Sequence, residues 1–322
     1  MALAGYRFAT RLNSFRTRAA GGVRVADAMR AVATVSGISA VELNYPQHFG
    51  AAEGDDIVAV AASVGLAITA INLRFDGPQF ALGAFTHPEA AAREAAVRIA
   101  SEAVDLAAAN RIDHVILWMG PDGFDYPFQA DYRVLWDMEI DGFRRVAGRN
   151  PDVRVSVECK PSDPRRVSLI RSMSDSLLAV ADVGLQNFGV SLDLCHVLMA
   201  GEHPAAVAAM AIRRGKLFGV HLNDGYGLAD DGMMVGSVHP WHILELLLEM
   251  RRGGFTGTIY FDTFPDRVDP VAEAATNVAT IRRFERLLDR IPREELDRIR
   301  AAQDAVAATE MIQTLAFGAE DG

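Results

Sequence analysis

Short apolar runs alternate along the chain with longer amphipathic stretches rich in Ala, Leu and Arg. The runs predict strands at Tyr6–Thr10, Ala40–Asn44, Ala67–Arg74, His114–Trp118, Val153–Glu158, Gly189–Asp193, Leu217–Leu222 and Thr258–Asp262. The stretches between them predict helices near 24–36, 53–64, 88–109, 131–147, 165–182, 203–214, 240–252 and 270–290. Strict alternation of strand and helix implies a parallel sheet with right-handed crossovers. Several strands are apolar on both faces, as expected when each face is covered. Eight such units within about 290 residues match an α/β fold of the (β/α)8, or TIM-barrel, type. A doubly wound open sheet shares the alternation, but its dinucleotide form needs GxGxxG after the first strand, and that motif is absent. Residues 1–291 are assigned to the barrel. Residues 292–322 form a C-terminal extension, with one further charged helix from Pro292 to about Leu315.

Composition narrows the function classes. Of 322 residues, 50% are hydrophobic and 23% charged, the profile of a compact domain with a sizeable core. The formal net charge is −10, and no basic stripe is present, which argues against nucleic acid as a partner. No run of roughly 18 apolar residues suggests a membrane span. The first residues, MALAGYRFAT, read as a first strand rather than a leader. Cys159 and Cys195 cannot form a disulfide framework in a chain of this size, so reduced thiols in a cytoplasm are expected. Only Lys160 and Lys216 are lysines.

In a barrel, the C-terminal strand ends converge on one face, where catalytic groups sit. Strand five ends VSVECKP, with Glu158 and Lys160 two residues apart and therefore on one side of the strand. Strand six ends VSLDLCH, with Asp193 and His196. Strand seven ends FGVHLND, with His221, Asn223 and Asp224. Strand eight ends IYFDTFP, with Asp262. A lone acid at a strand end commonly caps the next helix. Four consecutive strand ends bearing Glu158, Asp193, His221 and Asp262 are harder to explain that way. Crowded carboxylates repel and shift toward protonation, and a divalent cation removes that repulsion. Mixed carboxylate and imidazole donors suit Mn²⁺, Mg²⁺ or Co²⁺. After strand four, WMGPDGFDYPFQADY offers Trp118 as an apolar wall for a sugar ring, with Asp131 as the helix cap. His87 is read equally as an acid/base or as a first-turn residue. Glu42 and Asn44 end strand two on one face, with Glu42 expected to contact substrate, and Arg74, ending strand three, is placed to hold a substrate oxygen.

Together, ExK at 158–160, DxxH at 193–196, HxND at 221–224 and the strand-eight acid resemble the xylose isomerase-like TIM-barrel superfamily. The resemblance spans roughly residues 6–290. It implies a metal held by Glu158, Asp193, His221 and Asp262, and an isomerase lysine at Lys160. It also implies substrate contacts at Asp224 and a catalytic role for His196. A second metal would use His196 with Asp230 and Asp231, but a family acid falls at Gly232, which puts that second site in doubt. The resemblance favours a divalent-metal-dependent aldose–ketose isomerase. The sugar is expected to be unphosphorylated, since no Gly-rich phosphate cradle is present. One alternative is a ketose 3-epimerase with Glu158 and Asp262 as acid and base. A second is the catalytic subunit of a metal-dependent carbon-glycoside-cleaving lyase, which works with a separate small subunit. A third is an inactive barrel that serves as a binding subunit. The endonuclease IV-like branch, with its His-rich metal cluster, fits poorly with eight histidines and an acidic chain. A homo-oligomer using the C-terminal helix is expected.

Overall fold

A computed structural model describes residues 5–16, 23–50 and 56–318. Eight strands close into a barrel: β1 Arg7–Arg11, β2 Ala40–Tyr45, β3 Ala67–Leu73, β4 His114–Trp118, β5 Arg154–Glu158, β6 Phe188–Asp193, β7 Leu217–Leu222 and β8 Thr258–Phe261. Every neighbouring pair is parallel, and β1 pairs with both β2 and β8, which shuts the cylinder. The open-sheet alternative is thereby excluded. The helices are α1 Val25–Ala33, α2 Ile57–Ser63, α3 Ala90–Ala109, α4 Tyr132–Ala147, α5 Met173–Val183, α6 Leu194–Met199, α7 Pro204–Arg213, α8 Pro240–Arg252, α9 Pro270–Arg290, α10 Arg293–Ala302 and α11 Ala305–Phe317. No helix among the described residues is long and apolar enough to cross a membrane.

The main hydrophobic core lies between the outer faces of the strands and the helices. There Phe143 of α4 meets Phe85 at 5.9 Å and Phe188 of β6 at 5.1 Å. Burying each such side chain contributes about 1.5–3 kcal/mol. The inside of the cylinder is different. Ala9, Ala40 and Tyr260 form a small separate apolar cluster, and polar groups occupy much of the remaining interior.

Local chemistry sets the element boundaries. Asp131 caps α4 by accepting from the Arg133 and Val134 amides, as its position before the helix suggested. Asp269 caps α9, with Pro270 in the first turn, where a missing N–H costs nothing. Two expected helices start later. Part of the one expected over 53–64 lies outside the described residues, and α2 begins at Ile57, capped by Asp56. The one expected over 165–182 begins at Met173 under a Ser172 cap. Val167–Ser168 instead pairs antiparallel with Gly123–Phe124 in a ribbon beside the barrel mouth. A side chain at Gly123 (φ 145°) would run into the Val167 carbonyl, so the ribbon depends on that glycine. The single helix expected after Pro292 is two, broken where Gln303 takes a left-handed conformation (φ 53°) and Asp304 caps α11.

Candidate active site

Side chains two residues apart along β5, β6 and β7 point to one side of their strands. This alternation stacks the barrel interior in layers. Ser156, Ser191 and His114 occupy a lower layer. His114 Nε2 is 2.8 Å from Ser156 Oγ, and Ser156 Oγ is 2.8 Å from Ser191 Oγ. Two residues further along β5 and β6 stand Glu158 and Asp193, with His221 beside them on β7. Each of these three offers a ligand atom within 4.8 Å of the others, and all are buried. Asp193, His196 and Asp230 form a second such group that shares Asp193.

Orientation comes from hydrogen bonds. Asn223 Nδ2 donates to both Asp193 oxygens, at 3.3 and 3.0 Å, while its own Oδ1 accepts from the Cys195 amide. Asp193 also caps α6 by accepting from the His196 amide at 3.0 Å. The plain capping role thus holds for Asp193 alongside its place in both groups. Glu42 Oε2 accepts from Asn72 Nδ2 at 2.9 Å and lies 3.3 Å from His221 Nε2. On the other side, His221 Nδ1 is 2.9 Å from Glu158 Oε2. His196 lies between Glu158 Oε1, 3.3 Å from Nδ1, and Asp230 Oδ2, 3.2 Å from Nε2.

Charge is unevenly shared. Burial alone would depress the His221 and His196 pKa values, but the surrounding carboxylates hold both well above the ordinary histidine range. Burial opposes ionisation of Glu158, yet the two imidazoles pull its pKa down. Asp193 goes the other way. Burial, reinforced by Asp230, Glu158 and Asp262 and countered by His196, lifts its pKa to about 7. Despite the short distances, both His221 ring nitrogens, His196 Nδ1 and Asp230 Oδ1 are buried without hydrogen-bond geometry to any partner. Buried polar atoms left in that state are costly unless a further group completes them. Carboxylate and imidazole donors converging around such atoms fit a divalent cation. Glu158, Asp193 and His221 are the residues that would hold it.

Above this group opens a narrow cleft of about 50 Å³, lined in part by Arg11, Asn44, Asn72, Arg74, Trp118 and Lys160. Lys160 Nζ is 3.1 Å from Asp230 Oδ2 and 3.5 Å from Asp163 Oδ2. Burial works against the Lys160 ammonium, but Asp230, with Asp163 and Asp193, outweighs it and raises the pKa, so the ammonium is retained. Arg74 and Lys160 both stand over the Trp118 ring, at 5.4 and 5.5 Å. Glu158, Lys160, His196, Trp118 and Arg74 therefore meet at one mouth, with Glu42 beneath His221.

Other expected residues are placed elsewhere. Asp262 lines the same mouth but stands outside both groups; its Oδ1 is 3.2 Å from Arg11 Nε and is also buried without hydrogen-bond geometry to a partner among the described residues. Asp231 is turned away, its Oδ2 accepting from the Tyr226 amide at 2.7 Å. Asp224 is fully buried and bonded to the Gly225, Val238 and His239 amides, so it closes a loop rather than facing the cleft. His87 Nδ1 accepts from the Glu89 amide in a local turn, away from the cleft. Gly232 is explained by its surroundings: it is left-handed (φ 56°), and an added Cβ would lie 2.3 Å from the Phe264 ring. Asp230, two residues earlier, supplies the carboxylate. Arg11, Asn72 and Asn223 carry roles that the strand-end pattern did not reveal.

The family model for the xylose isomerase-like TIM barrel matches residues 29–284. The chain belongs to this family. It is 27% identical over 201 residues to the xylose isomerase of Thermus thermophilus, covering 61% of this chain and 52% of that protein. The chain thus spans about half the length of that curated relative. The barrel is similar to a D-tagatose 3-epimerase-like protein, with TM-score 0.70 and 16% identity over 88% of this chain and 98% of the other. It is similar to an L-ribulose 3-epimerase, with TM-score 0.69 and 17% identity over 88% and 96%. A xylose isomerase domain protein from Alicyclobacillus acidocaldarius gives TM-score 0.68 and 16% identity over 88% and 99%.

Proposed function

We propose that the chain is a divalent-metal-dependent aldose–ketose isomerase acting on an unphosphorylated sugar. The observation that carries this reading is the buried convergence of Glu158, Asp193 and His221 below a cleft that holds a charged Lys160. Mn²⁺, Mg²⁺ or Co²⁺ is the expected cofactor. When bound, the ion supplies Lewis-acid polarisation of two neighbouring sugar oxygens. Lys160 Nζ, steered by Asp230, places positive charge where negative charge develops on the carbonyl oxygen. The Trp118 ring walls the apolar face of the sugar, and Arg74 holds a hydroxyl oxygen at the cleft edge. His196, between Glu158 and Asp230, retains its proton and keeps those two acids ionised. Asn223 fixes the rotamer of Asp193 and so the shape of the floor.

The 3-epimerase alternative needs Glu158 and Asp262 as an opposed acid and base. The Arg11 pairing of Asp262 disfavours that arrangement. Incubation with Mn²⁺ and a panel of unphosphorylated aldoses and ketoses in D₂O, followed by NMR, separates the two. Interconversion at C1 and C2, lost in Lys160→Met, is the expected result. Deuterium entering only at C3, with Lys160→Met unaffected, would replace the isomerase by an epimerase.

A further inference from the structure

Arg11, Arg74 and Lys160 bring cationic side chains to the cleft. Two of them already face an acid. Arg11 Nε lies 3.2 Å from Asp262 Oδ1, and Lys160 Nζ lies 3.1 Å from Asp230 Oδ2. Arg74 differs. Among the described residues no carboxylate pairs with its side chain and no acceptor takes its N–H groups; its guanidinium carbon stands 5.4 Å from the centre of the Trp118 ring. The side chain is half-buried, and Asn44 and Asn72, register partners on β2 and β3 that line the same cleft, are neutral. Positive charge is felt on this side of the mouth: burial first, and then Arg16, Arg11 and Arg74, lower the pKa of His48.

A ring stacked on a guanidinium covers one face and leaves the N–H groups at its edge for another partner. Those donors form a planar fork that grips a carboxylate through two parallel bonds. A sugar hydroxyl, the contact so far given to Arg74, offers one oxygen and leaves the charge unmatched. A phosphate dianion fits less well, because Arg11 and Lys160 are engaged with acids and one guanidinium would meet two charges alone.

Resting on the isomerase reading, we propose that the substrate is a sugar acid, an open-chain uronate with its carbonyl end at Lys160 and its terminal carboxylate on Arg74. The reaction leaves the carboxylate untouched. The carbon-bound hydrogen of C2 moves to C1 and the O2 proton to O1, so an aldouronate becomes a ketouronate without oxidant or co-reactant. Trp118 then holds Arg74 in place as well as walling the sugar.

The test uses three ligands that differ only at C6: a hexuronate, the matching hexose and that hexose 6-phosphate. Each is titrated calorimetrically into the Mn²⁺-loaded full chain, and turnover is followed by NMR. The uronate should bind about 10²-fold more tightly than the hexose. Arg74→Gln, with an unchanged circular dichroism spectrum, should cost the uronate about that factor and the hexose far less. Arg74→Lys, which keeps the charge but not the fork, should fall between the two. Equal affinity for uronate and hexose, equal losses in Arg74→Gln, or a preference for the phosphate would overturn the carboxylate assignment, with or without C1/C2 exchange. Tight, Arg74-dependent uronate binding with no turnover of any sugar would uphold the carboxylate contact and overturn the isomerase reading instead.

Discussion

The two interior layers of the barrel share strands β5 and β6, yet they reach opposite electrostatic solutions. In the lower layer, a single buried imidazole, His114, is joined to two hydroxyls, and the chain of bonds ends there. Burial holds its pKa well below the ordinary histidine range, so it is neutral. In the upper layer, two residues toward the mouth, carboxylates surround His196 and His221, and ring nitrogens remain without hydrogen-bond partners. One layer is closed on itself. The other is left open at those atoms. A shift of two residues along β5 and β6 replaces Ser156 by Glu158 and Ser191 by Asp193, and with them packing by chemistry.

The largest effect is expected in the upper layer. Asp193→Asn or Glu158→Gln should abolish stabilisation by Mn²⁺ in a thermal melt and lower kcat on the order of 10³-fold or more, since each removes part of a Lewis-acid site. Unchanged Mn²⁺ stabilisation in both variants would remove the functional distinction between the layers. Next comes Lys160→Met. It should cost about 10²–10³-fold in kcat, with Mn²⁺ binding retained, because a preorganised charge is lost while the floor stays intact. A defect in metal binding alone would assign Lys160 to holding Asp230 instead.

The lower layer should respond in stability rather than turnover. An added Cβ at Gly219 would lie 2.7 Å from Ser191 Oγ and 3.2 Å from His114 Cε1. Gly219→Ala should therefore destabilise by about 1–3 kcal/mol in a denaturant titration, through overpacking. Loss of Mn²⁺ binding without loss of stability would mean that the layers are not separable.

The smallest effect is in pH dependence, where the layers have opposite signs. Burial depresses His114 well below its ordinary value. The unfolded chain takes up this proton near pH 6.5 and the fold does not. Its contribution is therefore present above that pH and is lost as pH falls, by roughly 1.4 kcal/mol per unit. His196 and His221 are raised, so theirs is present below pH 6.5 and is lost as pH rises through their elevated pKa values. His114→Gln should flatten the acid limb of a stability-against-pH curve. An unchanged acid limb would show that His114 is protonated in the fold.

Much of this was readable in advance where periodicity and chemistry coincide. Runs such as VSVE and VSLD announce a strand and end on an acid that reaches the barrel mouth, so the barrel and the convergence of Glu158 with Asp193 follow from pattern. The rest depended on partners distant in sequence. Arg11 ends a short first strand and gives no local sign that it will meet Asp262. Asn223 looks like any loop polar residue until the fold places it on Asp193. Asp224 and Asp231 carry the same charge as Asp230, and only the path of the loop decides which reaches the cleft. At Gly232 the departure from the family acid is a backbone and packing requirement set by Phe264. The break at Gln303 and Asp304 has no Gly or Pro to mark it, so the extension reads as one helix.

Anomalous diffraction from crystals soaked in Mn²⁺ bears most directly on the unsatisfied upper layer. One strong peak between Glu158, Asp193 and His221, absent in Asp193→Asn crystals, is the predicted result. No peak at the mouth under saturating Mn²⁺ would contradict it.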